Sequence, residues 1–329
     1  MNTADLSTDI LKAVSRSFYL TLRLLPSDFR GPLSLGYLLA RLSDTIADAG
    51  ALESAHRKAL LNSFCKVIKT PGPGQQANDL CATLVREMEG AGLARGEMEL
   101  VKRAGDCIDW LESMEDRRAA AIRKVVGIIT DGQSWDLERF KGKEVVTLED
   151  DRELETYAYQ VAGSVGEFWT EIGLICDSGF SRYSAEKLRR LGANYGKGLQ
   201  LVNILRDVPE DLERGRCYLP EVNPGDPTTI CEALPRWQSR ARVLLEDGIR
   251  YTASLRGTRL RISTGLPAAL GLRTLERLEG ATWEDLQQGV KISRRMVKRT
   301  LFEAFRFSAW WLPGSWDAYS SKSEPSPTR

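Results

Sequence analysis

The chain has 329 residues, 42% hydrophobic and 28% charged, enough for a sizeable soluble core built as one large domain or two smaller ones. Its 46 basic and 45 acidic side chains leave a formal net charge of +1, so no overall basic field exists to recruit nucleic acid. Six scattered cysteines without a C-x-x-C pair suit a reducing compartment rather than a disulfide framework or zinc site, and a single histidine excludes chemistry needing several imidazoles.

The first residues, MNTADLSTDILKAVSRSF, contain two acids before the first base and no apolar stretch of signal-peptide type, which points to the cytoplasm. Leu11, Val14, Phe18, Leu22 and Leu25 then recur at helical spacing up to Pro26. Similar periodicity marks Leu33 to Ala47, Ala55 to Ile68, Leu80 to Met88 and Glu97 to Met114. His56 reads as a solvated helix residue among Glu53, Arg57 and Lys58. GPGQQA, Gly72 to Ala77, formally matches a dinucleotide fingerprint, but no strand precedes it and its proline suits a loop. Further loop signals fall between Pro220 and Pro227, and strand-like alternation is almost absent.

No run approaches the ~18 apolar residues of a membrane span. The aromatic segment from Leu301 to Trp316 suits either peripheral contact with the inner face of a membrane or packing on the protein's own core. The pattern predicts an all-α protein of about ten helices with a single domain over 1–319 and a disordered tail over 320–329.

Two helical segments carry a polar stripe on an otherwise greasy surface. In GLQLVNILRDVPEDLERGRCYLP, Gly198 to Pro220, the residues Gln200, Asn203, Asp207 and Asp211 fall within an arc of about 80°, while Leu199, Leu201, Val202, Ile204 and Leu205 cover other faces. In GYLLARLSDTIAD, Tyr37, Arg41, Asp44 and Asp48 span about 60° among Leu38, Leu39, Leu42 and Ile46. A solvated face with an Arg41–Asp44 ion pair would explain either stripe alone. Two such helices, each with two carboxylates one turn apart, would instead make a clamp for Mg²⁺ and diphosphate, because Mg²⁺ takes oxygen ligands and commonly joins carboxylates to substrate phosphates. Pro209, between Asp207 and Asp211, is expected to kink or restart its helix, leaving Asp207 better placed than Asp211 and Glu210 as a substitute ligand.

The residues that carry these stripes also carry a resemblance. S-R-S-F at Ser15 to Phe18, Y-x-x-x-R-x-x-D-x-x-x-D at Tyr37 to Asp48, Y-x-x-x-V-A-G-x-V-G at Tyr157 to Gly166 and Q-x-x-N-I-x-R-D-x-x-E-D at Gln200 to Asp211 resemble the squalene/phytoene synthases, most closely the bacterial-type squalene synthases. The resemblance implies an isoprenoid-synthase type of helical fold with a central cavity and head-to-head coupling of two prenyl diphosphates. It implies that Asp44, Asp48, Asp207 and Asp211 hold Mg²⁺, with Asn203 ligating or orienting the cluster. Arg16, Tyr37, Arg41, Gln200, Arg214 and Arg216 would meet the diphosphates, a task that suits the planar guanidinium. Tyr157 would handle a proton, although a buried structural tyrosine is the plainer reading of its spacing with Val161, Val165 and Phe168.

By the same resemblance, two farnesyl diphosphates would join through presqualene diphosphate, with NADPH reducing it to squalene; a dry, apolar cavity would protect the cations. Other endings are phytoene, dehydrosqualene or hydroxysqualene, or release of presqualene diphosphate itself; a non-catalytic prenyl-lipid binder could share the fold. In GVKISRRMVKR, Gly289 to Arg299, a helix would place Lys291, Arg294, Arg295 and Lys298 on one basic face, with Lys291 and Arg294 the candidates for an NADPH phosphate. Asp207→Asn is expected to abolish Mg²⁺-dependent turnover while leaving the unfolding midpoint nearly unchanged; turnover near wild type would sink the ligand assignment.

Overall fold

A computed structural model describes residues 6–300, apart from 143, 294 and 298 and the side chains at 16, 17, 18 and 20. The expected tail, the aromatic segment after residue 300, Arg294, Lys298 and the side chain of Arg16 therefore lie outside the described residues. The chain winds through α1 (Leu11–Val14), α2 (Arg16–Leu24), α3 (Ser27–Ala47), α4 (Ser54–Lys69), α5 (Gln75–Met88), α6 (Arg95–Lys102), α7 (Ala104–Glu112) and α8 (Asp116–Arg139). A two-residue strand, β1 (Val146–Thr147), leads to α9 (Asp151–Ala158), a π-helical turn over Tyr159–Gly163, α10 (Ser164–Cys176) and the long α11 (Ala185–Glu213). After β2 (Arg216–Cys217) come α12 (Pro227–Ser254), α13 (Thr258–Leu278) and α14 (Trp283–Gln288).

The all-α expectation holds, with local corrections. Periodicity from Leu11 to Leu25 is divided at Ser15, whose extended backbone separates α1 from α2. Glu97 to Met114 is likewise two helices, interrupted at Arg103. Pro209 neither stops nor restarts α11, which stays helical through Glu213. The lost amide hydrogen bond is local, and the apolar face around it, Leu201, Val202, Ile204, Leu205 and Val208, is buried, so packing outweighs the proline. The expected basic helix over 289–299 is not formed at its start: Gly289 adopts φ +82° and ends α14, and Gly289 to Ser293 are non-helical.

Two apolar cores share the helices, with α11 to α13 contributing to both. One gathers side chains of α3 to α8 and α10, including Leu35, Leu38, Leu42, Phe64, Ile122 and Phe168. The other gathers α11 to α13, including Leu201, Leu205, Trp237, Leu244 and Leu275. Their junction depends on close backbone approach between α10 and α11. A Cβ at Gly166 would stand 1.8 Å from the Gly192 carbonyl oxygen, and one at Gly196 would stand 2.0 Å from that of Ala162. Gly163 and Gly166, both in the motif from Tyr157 to Gly166, thus leave room for the close approach of α11.

Strands β1 and β2 pair in parallel, Val146 with Arg216 and Thr147 with Cys217, a ladder too short to leave a sequence alternation. Gly215, at φ +80°, makes the turn out of α11 that returns Arg216 and Tyr218 toward the helices. Among the described residues no helix is long and apolar enough to cross a membrane. Gly166→Ala is expected to cost about 3 kcal/mol in urea unfolding through overpacking against backbone. Gly31→Ala, whose new methyl would meet nothing nearer than Trp110 at 3.9 Å, should change stability by under about 1 kcal/mol.

Candidate active site

Helices α3, α8, α9 and α11 and the Arg216 to Tyr218 segment enclose a cavity of about 340 Å³. Asp44 and Asp48 form one wall, and Gln200, Asn203, Asp207 and Asp211 form the other, with Tyr157, Arg214 and Arg216 also on the lining. The two polar stripes therefore meet. Both acidic pairs sit at the C-terminal ends of their helices: Asp44 lies in the last turn of α3 and Asp48 caps it, while Asp207 and Asp211 fall in the last two turns of α11. Neither last turn carries a basic residue. Carboxylates there face the negative end of the helix dipole, an arrangement that costs energy unless a cation compensates it.

The electrostatics agree. Burial and the neighbouring charge of Asp48 push the Asp44 carboxyl up to about 6, against the pull of Arg41 and a hydrogen bond from Gln133 Nε2 at 2.6 Å. Burial pushes Asp211 up to about 7, with Asp207 adding to the rise and Arg216 and Arg214 opposing it. Asp207 is gripped on both oxygens by its neighbour Arg206, at 2.7 and 2.5 Å. Because α11 stays helical through Glu213, Asp207 and Asp211 both keep their places on the lining; among the described residues Asp207 is paired with Arg206, and Asp211 has no ion pair. Glu210 is likewise engaged, by Arg214 at 2.6 Å.

Hard oxygen donors on two walls suit Mg²⁺, and Gln133 adds a buried side-chain oxygen, Oε1, that has no hydrogen-bond partner. Among the described residues no three His, Cys, Asp or Glu side chains converge on one point. A cation shared between the walls would accordingly complete its shell with water and diphosphate oxygens, as Mg²⁺ commonly does.

Several expected residues lie elsewhere. Tyr37 is absent from the lining; its hydroxyl donates to the Val14 carbonyl at 3.2 Å, tying α3 to α1. Arg41 pairs with Glu97 at 2.5 Å instead of with Asp44, and borders a smaller cavity of about 160 Å³ that shares Asp44 and Asp48. Lys291 is exposed and lines neither cavity. His56 is exposed as expected and lies 3.2 Å from Glu87.

The main cavity is also more polar than expected: its aliphatic lining is Ala47, Ile129, Val161 and Ile204, because many other apolar side chains of these helices are spent on the two cores.

Sequence reasoning missed the inner end of the cavity. Tyr157 stacks on Tyr218 with ring centroids 4.9 Å apart and interplanar angle 13°, and its hydroxyl donates to that of Tyr218 at 3.3 Å. Tyr218 donates to Asp136 Oδ1 at 2.6 Å, and Arg216 Nη1 stands 3.3 Å from Asp136 Oδ2. Arg57 lies behind them, donating to the Ala47 carbonyl at 2.5 Å; burial and the like charge of Arg216 lower its pKa. The available signals were the i, i+4, i+7 set Ile129, Gln133, Asp136 on one face of α8 and the position of Tyr218 two residues beyond Arg216.

The fold is helical, with two aspartate pairs facing one cavity, and residues 11–296 match the squalene/phytoene synthase family model. The chain belongs to that family of prenyltransferase-type enzymes, which use two prenyl diphosphates. It is 27% identical over 314 residues to a presqualene diphosphate synthase of Zymomonas mobilis, covering 91% of this chain and 92% of that one. It is 29% identical over 218 residues to a bifunctional lycopene cyclase/phytoene synthase of Blakeslea trispora, covering 66% of this chain and only 32% of that longer protein. The structure of TcSQS with the ligand E5700 superposes with TM-score 0.74 at 21% identity, covering 94% and 93% of the two chains, which shows the shared fold.

The raised carboxyl pKa values have a sign that can be tested. An unfolded aspartate titrates near 3.9, so between about pH 4 and 7 the native state binds more protons than the unfolded one and stability falls as pH rises. Asp44→Asn and Asp211→Asn are each expected to stabilise the cation-free protein at pH 8 by about 1 kcal/mol, discounted for cavity water, and to give little gain at pH 4. Urea unfolding at the two pH values reads this directly.

Proposed function

We propose that the protein couples two farnesyl diphosphates head to head and releases presqualene diphosphate. The observation that carries this reading is the pair of acidic walls, Asp44 with Asp48 and Asp207 with Asp211, facing each other at the negative ends of two helices. The farnesyl chain length is supported by the Zymomonas relative, whose similarity spans nearly the whole of both chains.

The two walls and the Asn203 amide would hold Mg²⁺, which when bound would supply Lewis-acid neutralisation of the diphosphate charge. Arg214, Arg216 and Gln200, all on the lining, would meet the remaining diphosphate oxygens. With the leaving charge held there, the first substrate ionises to an allylic cation. The 2,3-double bond of the second substrate attacks carbon 1 of that cation, and loss of one proton closes the cyclopropane ring. Tyr157, buried at the inner end of the cavity, takes the proton.

Support for a further reduction to squalene is narrower. Lys291 stands exposed outside both cavities, and Arg294 lies outside the described residues, so NADPH use rests on the resemblance alone.

Incubating the purified protein with farnesyl diphosphate and Mg²⁺, with and without NADPH, and identifying products by mass spectrometry tests the proposal. Presqualene diphosphate without NADPH is expected. Squalene accumulating only with NADPH would replace the stated end product by the reduced one, whereas no product from farnesyl diphosphate but phytoene from geranylgeranyl diphosphate would overturn the chain length.

A further inference from the structure

At the inner end of the cavity, hydrogen bonding has a direction. Ionised Asp136 can only accept, so the bond to it must use the Tyr218 proton. Tyr218 then offers its oxygen to the Tyr157 proton. With its proton spent inward, Tyr157 presents a lone pair to the cavity, which makes it an acceptor toward a substrate. All three side chains line the cavity and are nevertheless 9% exposed or less: Tyr157 9%, Tyr218 5% and Asp136 6%.

We infer that Tyr218 and Asp136 complete a relay that carries the proton lost on ring closure from Tyr157 to the Asp136 carboxylate, an inference that rests on the coupling proposed above. The electron pair of the breaking C–H bond becomes the last C–C bond of the cyclopropane. Its proton goes to the Tyr157 oxygen as Tyr157 passes its own proton to Tyr218 and Tyr218 passes its own to Asp136. Both tyrosines end neutral, the carbocation charge is cancelled, and the carboxylate becomes a carboxylic acid. Arg216, 3.3 Å from Asp136 and on the lining, is left free to pair with the departing diphosphate.

The surroundings favour a concerted shift. Burial holds the pKa of both tyrosines well above the ordinary phenol value, so neither dwells as a phenolate. Burial also raises Asp136, with Arg216 and the Tyr218 hydrogen bond pulling against it, which makes its carboxylate a better base than a solvated aspartate. The ring stack of Tyr157 and Tyr218, closed at its edge by Phe140 at 5.1 Å from Tyr218, keeps the two hydroxyls in register. A tyrosine needing only a structural partner would be satisfied by one backbone carbonyl, as Tyr195 is by that of Thr264 at 2.7 Å.

Tyr218→Phe and Asp136→Asn in the full chain separate relay from scaffold. Each is measured with farnesyl diphosphate and Mg²⁺ for pyrophosphate release, presqualene diphosphate and water-trapped C15 alcohol. The relay predicts that kcat for presqualene diphosphate falls about 100-fold while KM stays within about 3-fold, with pyrophosphate release falling less and alcohol becoming the main product. Unchanged partition between cyclopropane and alcohol, or an equal loss of pyrophosphate and product with a raised KM, would overturn it. If Asp136→Asn does not fold, Tyr218→Phe, which keeps the ring stack, decides alone. A wild-type protein that makes no presqualene diphosphate removes the proposed function and the relay together; an active wild type with unaltered partition in the variants removes only the relay.

Discussion

Four carboxylates gathered around one cavity at the negative ends of two helices are the costly feature on which the rest of the site depends. Like charges, partial burial and helix dipoles all oppose ionisation there. Asp44 and Asp211 register the cost in pKa values of about 6 and 7. The arginines around the cavity answer it in part: Arg206 grips Asp207, Arg214 holds Glu210, and Arg216 faces Asp136. The residual negative charge is what a divalent cation and its diphosphate ligands would satisfy.

Such a site needs rigid support, and the two apolar cores supply it. The greasy face of α3 is buried in the first core, and α11 spans both, with Leu188 and Leu191 in that core and Leu201, Leu205 and Val208 in the second, so both helices are held while presenting polar stripes to the cavity. The backbone contact of Gly166 with Gly192 sets how closely α10 can lie on α11. Because packing there involves carbonyl oxygens instead of adaptable side-chain ends, the spacing has little room to relax. The same rigidity lets α11 run through Pro209 and carry both of its aspartates to the cavity.

Charge is handled at the two ends of this cavity in different ways. One end is built from the aspartate pairs with the exposed Arg214, and the inner end from buried aromatic hydroxyls that lead to Asp136 and its partner Arg216. Arg41 belongs to neither, since Glu97 draws it to the smaller cavity behind Asp44 and Asp48. The coupling proposed for this cavity would hold the anion at one end and remove the proton at the other.

The all-α class, the two stripes and the residues that carry the family motifs could be read from the chain because they are local: helical period places Asp44 with Asp48 and Asp207 with Asp211 whatever surrounds them. Tyr157 was found the same way, through a contiguous motif. What the chain could not show was partnership across distance. Tyr218 meets Asp136 over 82 positions and Gln133 meets Asp44 over 89, and no periodicity encodes such a pairing. Tyr37 and Arg41 lie on the right stripe, yet their long side chains are claimed by Val14 and Glu97, since the choice between competing partners is made by tertiary packing. The sequence by itself determined which helices would bear charge on a greasy surface, and only the tertiary structure decided which of those charges share a cavity, because that depends on how closely glycine backbones let the helices approach.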